Sequence, residues 1–233
     1  VLERIAQLTA ADKQTGVIEI GPGPGTLTAQ MLRRAGAVAA VEFDQRLEPL
    51  HKDVFGTFGQ LKFHYADALR TDLGALALAQ GEATGLKRHL LTGNLPFQIT
   101  SPLLFGQCGP GRVWEAMVFM VQKEVADRIC ARPGGKDYGI LTIKLGLWWN
   151  VSGRFDVPAA DFFPAPKVNA SVLRFDPRPA DQCPSDEQWP LLSEYIEAAF
   201  AQRRKMLVNT LAARWGSFPG KDAGRTVLEG LGL

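Results

Sequence analysis

Four places along the chain carry groups suited to holding a small polar ligand and acting on it. Glycines at 21, 23 and 25 follow the β-branched run 17–20. Glycine lets backbone approach a ligand closely, and the helix that follows offers its first amides. Glu42 follows a second apolar run, 38–41, and Asp67 follows a third, Leu61–Tyr65. The fourth place is Asn94-Leu95-Pro96-Phe97, after the apolar pair Leu90-Leu91. Asn94 offers an amide with both a carbonyl and donors. Pro96 fixes its own φ and drives Leu95 into an extended conformation, so a carbonyl is left outside any helix. Phe97 adds a flat apolar ring directly after the bend. A strand ending in an amide, a stiff turn and an aromatic can hold a planar heterocycle.

The elements that must position these groups alternate along the chain. Strands are expected at 17–20, 38–41, 61–65, 89–92 and 114–121. Helical periodicity is expected at 1–8, at 26–35, from a cap at Asp44 towards residue 55, at 102–107, at 123–130 and at 138–149, with a helix or loop through 73–80. Two closing strands, 151–157 and 171–175, flank a Pro-rich stretch. Prolines at 177, 179, 184 and 190 mark a linker, and helical patterns follow at 191–201, 205–215 and 224–231. Strands separated by helices indicate a doubly wound, mostly parallel sheet, in which ligands bind outside the carboxyl ends of the strands. Gly21, Glu42, Asp67 and Asn94 all fall at or just past such ends.

The glycine spacing is G-x-G-x-G with Pro22 and Pro24 between. These prolines have no N–H to give a pyrophosphate, which argues against the G-x-G-x-x-G dinucleotide loop of a nicotinamide or flavin enzyme. An acid after the second strand suits two ribose hydroxyls. An acid after the third suits an adenine amine. Together they describe S-adenosylmethionine.

Composition bounds the rest. With 233 residues, 46% hydrophobic and 21% charged, the chain is globular. No apolar run approaches the roughly 18 residues of a membrane span, and no signal peptide is visible. The net charge of +2 does not by itself announce nucleic acid. Cys108, Cys130 and Cys183 are odd in number and far apart, which argues against a disulfide scaffold and fits a reduced cytoplasmic setting. His51, His64 and His89 have no metal-ligand spacing, so no metal is expected.

Several motifs in order resemble the KsgA-type (RsmA) small-subunit ribosomal RNA adenine dimethyltransferases. The sharpest are Gly93-Asn94-Leu95-Pro96-Phe97-Gln98-Ile99-Thr100-Ser101-Pro102, Lys136-Asp137-Tyr138-Gly139, Pro164-Ala165-Pro166-Lys167-Val168 and Gln202-Arg203-Arg204-Lys205. The resemblance implies a Rossmann-like α/β methyltransferase domain over residues 1–176 and a small helical domain over 177–233, shortened at its end. It implies transfer of methyl groups from S-adenosylmethionine to the exocyclic amines of two adjacent adenosines near the 3′ end of small-subunit rRNA. The setting would be a pre-30S-type particle, with the protein a monomer. The cofactor set would be Gly21, Gly23, Gly25, Glu42, Phe43, Asp67, Ala68 and Asn94. The catalytic set would be Asn94, Leu95, Pro96 and Phe97.

RNA contacts are expected from Arg128, Arg132, Lys136, Arg203, Arg204 and Lys205. Residues 177–233 balance seven Lys and Arg against seven Asp and Glu, so any RNA surface there must come from patchiness. Two departures stand out: Phe97 replaces the family's usual tyrosine, and the family's basic segment before Val1 is missing. Erythromycin-resistance methyltransferases of large-subunit rRNA share this core and form the nearest alternative. A non-catalytic transcription or assembly factor on the same fold is another; the intact cofactor set and Asn94–Phe97 favour an active enzyme. The Pro164–Val168 and Gln202–Lys205 matches disfavour a DNA adenine methyltransferase.

Overall fold

The computed structural model describes residues 1–201 and residue 207. Arg203, Arg204, Lys205 and the helical patterns expected at 205–215 and 224–231 lie outside the described residues.

Seven strands form one sheet: β1 (Thr15–Ile20), β2 (Ala37–Glu42), β3 (Leu61–Tyr65), β4 (Arg88–Asn94), β5 (Ala116–Gln122), β6 (Trp149–Val157) and β7 (Ala170–Pro177). Their order is β3-β2-β1-β4-β5-β7-β6. The first five run parallel; β7 is antiparallel to both β5 and β6. Among the described residues the α-helices are α1 (Leu2–Thr9), α2 (Thr26–Arg34), α3 (Glu48–Phe55), α4 (Leu73–Thr84), α5 (Phe97–Gly106), α6 (Lys123–Ile129), α7 (Ile140–Gly146) and α8 (Gln188–Phe200).

Central strands read as continuous apolar runs because both faces are covered. Adjacent residues alternate between two cores, as the period of a strand requires. Val17, Val38, Leu90 and Val118 pack with Ile5 of α1, Leu27 and Met31 of α2 and Phe55 of α3. Ile18, Ala39, Leu91 and Phe119 pack on the other face with Leu73 and Ala77 of α4, Leu103 and Leu104 of α5 and Leu145 of α7.

Register aligns the strand ends. Ile20 lies opposite Val41 and Gly93, Glu42 opposite Tyr65, and Asn94 opposite Met120. The residues that follow therefore meet along one edge. The chain leaves β1 in one direction to β2 and β3, then returns to β4 on the other side. The switch point between β1 and β4 is where such sheets hold ligands. Because β7 reverses, β6 ends and β7 begins at that same edge: Ala170 pairs with Gln122, the last residue of β5. The connection 158–169 is thus delivered beside Asn94.

Three expectations need correction. α5 starts at Phe97 and holds Pro102 inside it. Pro96, at φ −58 and ψ 140, occupies the cap position, where a missing N–H costs nothing. The helix expected over 138–149 is only Ile140–Gly146, and Trp149 already belongs to β6. Its apolar run is continuous because Trp148 and Trp149 are both buried, one after the helix and one in the strand. Finally, the Pro-rich stretch after β7 is pinned rather than free. Arg178 donates its N–H to the Trp148 carbonyl (2.9 Å), a 3₁₀ turn spans Ala180–Gln182, and Trp189 packs edge-on against Trp148 at 5.2 Å. α8 continues along the same surface, with Tyr138 against Phe200 and Lys144 paired with Glu197.

Candidate active site

The loop after β1 is built from three left-handed glycines, with φ of 64° at Gly21, 56° at Gly23 and 86° at Gly25. Gly21 donates its N–H to the Val41 carbonyl (2.9 Å), and Gly25 donates to the Pro22 carbonyl (2.9 Å), closing the turn before α2. Pro22 and Pro24 stiffen the segments between. The three positions differ in what surrounds them. Among the described residues, a Cβ on Gly23 would meet nothing within 4 Å, and one on Gly21 would meet only the Asn94 carbonyl at 3.9 Å. A Cβ on Gly25 would lie 2.3 Å from the Phe55 ring. Gly21 and Gly23 therefore leave an open backbone face, whereas Gly25 serves packing.

Glu42 closes β2 and is buried. Its Oε2 accepts from the Gly23 N–H (3.0 Å) and its Oε1 from the Asp44 N–H (2.8 Å). An ionised carboxylate has about four acceptor sites, so acceptor capacity remains beyond these two bonds. The next residue, Phe43, is 78% exposed, an apolar ring displayed at the strand end. Asp67 is held by the Leu69 N–H on Oδ1 (2.9 Å), while among the described residues the partner of Oδ2 is distant, exposed Arg70 at 3.8 Å. Ala68 beside it is buried in the core. Beneath the loop, Glu19 is buried and its Oε2 has no partner among the described residues. Burial pushes its carboxyl up to about 7, and the Glu42 carboxylate adds to this. Thr28 opposes the shift, although its Oγ1 makes no hydrogen bond among the described residues.

These groups fit S-adenosylmethionine. Residues 21–28 contain no Lys or Arg, and two of the five loop positions lack an N–H, so a pyrophosphate is poorly served. An open backbone face, carboxylate acceptors and an exposed ring suit a ribose diol, an adenine and a positively charged sulfonium.

Asn94 ends β4 with its side chain exposed. The Leu95 N–H still donates to the Met120 carbonyl (3.0 Å), and the Leu95 side chain is buried, which anchors the bend. The Pro96 carbonyl accepts from the Ile99 N–H (3.1 Å) and from Thr100 Oγ1 (3.0 Å). The stacking expected of the Phe97 ring falls outside the described side chains. Asn94, Leu95 and Pro96 form one wall of a cavity of about 480 Å³. The opposite wall is Phe162, Phe163, Pro164, Pro166 and Val168, with Val121 and Ala170 between.

Sequence reasoning assigned this second wall no role. Its signal is a pair of phenylalanines beside prolines, with Phe163 fully exposed. A second cavity, about 550 Å³, shares Val168 and Asn169 with the first and is lined by Lys123, Lys136 and Lys167 together with Glu124, Asp127 and Asp137. Of the expected RNA contacts, Lys136 is brought there. Arg128 is paired with Glu124 one turn earlier on α6, and Arg132 is exposed on the following loop. Among the described residues, no group of three or more His, Cys, Asp or Glu is placed to hold a metal, and no helix is long and apolar enough to cross a membrane.

Comparison with known proteins agrees with the motif resemblance. The profile of the family described as Ribosomal RNA adenine dimethylase matches residues 1–217. The chain is 41% identical over 211 residues to Ribosomal RNA small subunit methyltransferase A of Magnetococcus marinus, covering 91% of this chain and 74% of the relative. It is 36% identical over 234 residues to the protein of the same name from Geobacillus kaustophilus, covering 100% and 79%. A crystal structure of a dimethyladenosine transferase from Plasmodium falciparum superposes with a TM-score of 0.75 at 26% identity, covering 98% of this chain and 75% of that one. The 23S rRNA methyltransferase ErmE shares the fold, with a TM-score of 0.65 at 24% identity, covering 92% and 82%. With a family profile matched across almost all of its length and the strand-end groups along one sheet edge, the chain belongs to the ribosomal RNA adenine dimethylase family and is an S-adenosylmethionine-dependent rRNA adenine methyltransferase.

Proposed function

We propose that this enzyme dimethylates the exocyclic amines of two adjacent adenosines near the 3′ end of small-subunit rRNA, acting as a monomer on a pre-30S-type particle. The observation that carries the reading is the position of Asn94. It stands on the edge shared with Gly21, Glu42 and Asp67 and also walls the cavity bounded by residues 162–168.

In this reading Gly21 and Gly23 admit the ligand to bare backbone. Glu42 accepts from the ribose hydroxyls with its remaining lone pairs, and Phe43 and Ala68 flank the adenine that Asp67 reads. Bound S-adenosylmethionine supplies a methyl group on a positively charged sulfur, open to in-line attack by a lone pair. The target amine is a poor nucleophile, because its lone pair is delocalised into the ring. Asn94 Oδ1 and the Leu95 carbonyl accept its hydrogens and hold the nitrogen near tetrahedral geometry. Pro96 keeps Leu95 extended so that this carbonyl stays in place. Phe97 stacks on the base, which must leave its RNA stack to reach the pocket, a contact worth roughly 1–3 kcal/mol. The proton of the methylated ammonium is acidic and leaves to water, so the residues act chiefly by positioning. Lys136, Arg128 and Arg132 contact phosphates, with Arg203, Arg204 and Lys205 contributing from a helical domain spanning 177–233.

The test is to incubate the protein with labelled cofactor and undermodified small subunits, free rRNA, large subunits and DNA, then map the label. Two adjacent dimethylated adenosines in small-subunit rRNA are expected. Label confined to large subunits or to DNA would overturn the assignment.

A further inference from the structure

Gly23 is gripped on both sides of its Cα. Its N–H donates to Glu42 Oε2 at 3.0 Å, and its carbonyl lies 2.6 Å from His51 Nε2. A carbonyl only accepts, so Nε2 carries the hydrogen. In the neutral ring Nδ1 is then the acceptor for the Tyr65 hydroxyl, 2.9 Å away. His51 is 1% exposed, and its ring stacks on Phe63 with centroids 4.0 Å apart and planes 8° from parallel. Burial and the carboxylates of Glu48 and Glu42 push the Tyr65 phenol up, which keeps its proton available to Nδ1.

The arrangement joins two parts of the carboxyl edge of the sheet. His51 and Phe55 lie one turn apart on α3. Phe55 fills the space where a Cβ of Gly25 would go, and His51 holds the carbonyl of Gly23. One face of α3 thus braces two of the three loop glycines from behind. Tyr65 is the last residue of β3, opposite Glu42 in register and two residues before Asp67. The path from Gly23 through His51 to Tyr65 therefore runs from the glycine loop to the strand that presents Asp67. Core packing alone would be met by leucine or phenylalanine at position 51; a buried imidazole with both nitrogens engaged holds the loop as well.

We infer that His51 is a positioning residue for cofactor binding, which fixes the Gly23 carbonyl and ties the glycine loop to the Asp67 end of the cleft. This rests on reading Gly21, Gly23, Glu42 and Asp67 as the cofactor cradle.

The test uses the whole chain with His51→Leu, which fills the space without a donor, His51→Gln, which keeps an N–H, and Tyr65→Phe, a mild change at the far end of the path. Glu42→Ala serves as the control on the cradle. S-adenosylhomocysteine affinity is measured by calorimetry, kcat and KM with small subunits, and stability by urea unfolding. His51→Leu is expected to weaken binding and raise the cofactor KM about tenfold with kcat within about twofold, His51→Gln to recover to within about threefold, and Tyr65→Phe to fall between. The ¹⁵N signals of His51 are expected to report the Nε2–H tautomer and to shift when the ligand binds. Wild-type affinity in His51→Leu, or equal affinity in His51→Leu and His51→Gln, would overturn the inference while a weakened Glu42→Ala leaves the cradle standing. Should His51→Leu fail to fold, wild-type affinity in Tyr65→Phe would count against the inference. Wild-type affinity in Glu42→Ala would instead overturn the cradle itself.

Discussion

Gly23 and Gly25 both sit at positive φ, two residues apart in one loop, yet their replacement by alanine should fail in different ways. Each alanine accepts a left-handed backbone at roughly 1–2 kcal/mol. At Gly25 the new Cβ would also lie 2.3 Å from Cε2 and 2.5 Å from Cζ of Phe55, a ring buried between α3 and the sheet. Overpacking of that kind adds about 1–3 kcal/mol. Gly25→Ala should therefore lose about 2–5 kcal/mol of stability, and at 2–4 °C per kcal/mol for a chain of this size its melting temperature should fall by roughly 10 °C. At Gly23 the new Cβ meets nothing within 4 Å among the described residues, so only the backbone cost applies and the fall should be about 4 °C.

Ligand affinity should rank the two the other way. The Gly23 methyl projects into the open face of the loop and should weaken S-adenosylhomocysteine binding by about tenfold or more, a loss of some 1.4 kcal/mol. Thermal unfolding and calorimetry on the two variants decide the matter. A double variant, Gly25→Ala with Phe55→Leu, isolates the ring contact, and a favourable coupling of about 1–3 kcal/mol is expected. Equal destabilisation of the two single variants would refute the division of labour. So would an affinity unchanged in folded Gly23→Ala.

Asn94→Ala should lower methyl transfer by on the order of 100-fold or more with an unchanged urea midpoint, since the side chain is exposed; a wild-type rate on small subunits would remove its acceptor role. Phe97→Ala should lose far more activity than Phe97→Tyr, by about tenfold or more for a stacking contact, and equal rates would end the stacking role. Glu19 has a folded carboxyl raised to about 7 from 4.5, so between those values the folded state binds more protons than the unfolded state, and stability falls as pH rises. Glu19→Gln should remove this slope and be more stable than the parent at pH 8, by on the order of 2–3 kcal/mol, in urea unfolding at pH 5 and pH 8; parallel pH profiles for the two proteins would contradict the buried charge.

The strand ends that carry the glycine loop, the two acids and Asn94 are legible because each has a local signature. β3 occupies the expected 61–65, Gly21 directly follows β1, and Glu42 and Asn94 are the last residues of β2 and β4. Parallel strands buried on both faces write themselves as apolar runs, and the acid or amide that breaks each run marks its carboxyl end. Where local rules competed, the reading slipped. Pro102 looked like the start of a helix that begins five residues earlier, because proline favours the first turn yet is accepted inside α5. Trp148 and Trp149 extended an apparent helix because burial on two elements looks like burial on one. His51 carried no readable signal. Its partners, Gly23 and Tyr65, lie 28 and 14 residues away, and only the placement of α3 behind the loop brings them together.

The substrate half depends on one topological feature that no single motif announces. Had β7 run parallel to β5 and β6, the chain leaving β6 at the carboxyl edge would have to cross back to the opposite edge before entering β7, and the 158–169 connection would not end beside Asn94. Instead β7 enters antiparallel between β5 and β6, so the 158–169 connection must turn over at the carboxyl edge. That turn sets Phe162, Phe163 and Val168 across a cavity from Asn94 and Pro96. The parallel strands supply the glycine loop and the two acids, and the reversed hairpin supplies the opposing wall. Asn94 stands at the seam because β4 is the strand with β1 on one side and β5 on the other. In the proposed function, a group placed there faces both a cofactor held over β1 and β2 and a base entering above β5 and β7, the arrangement that transfer between two separate molecules requires.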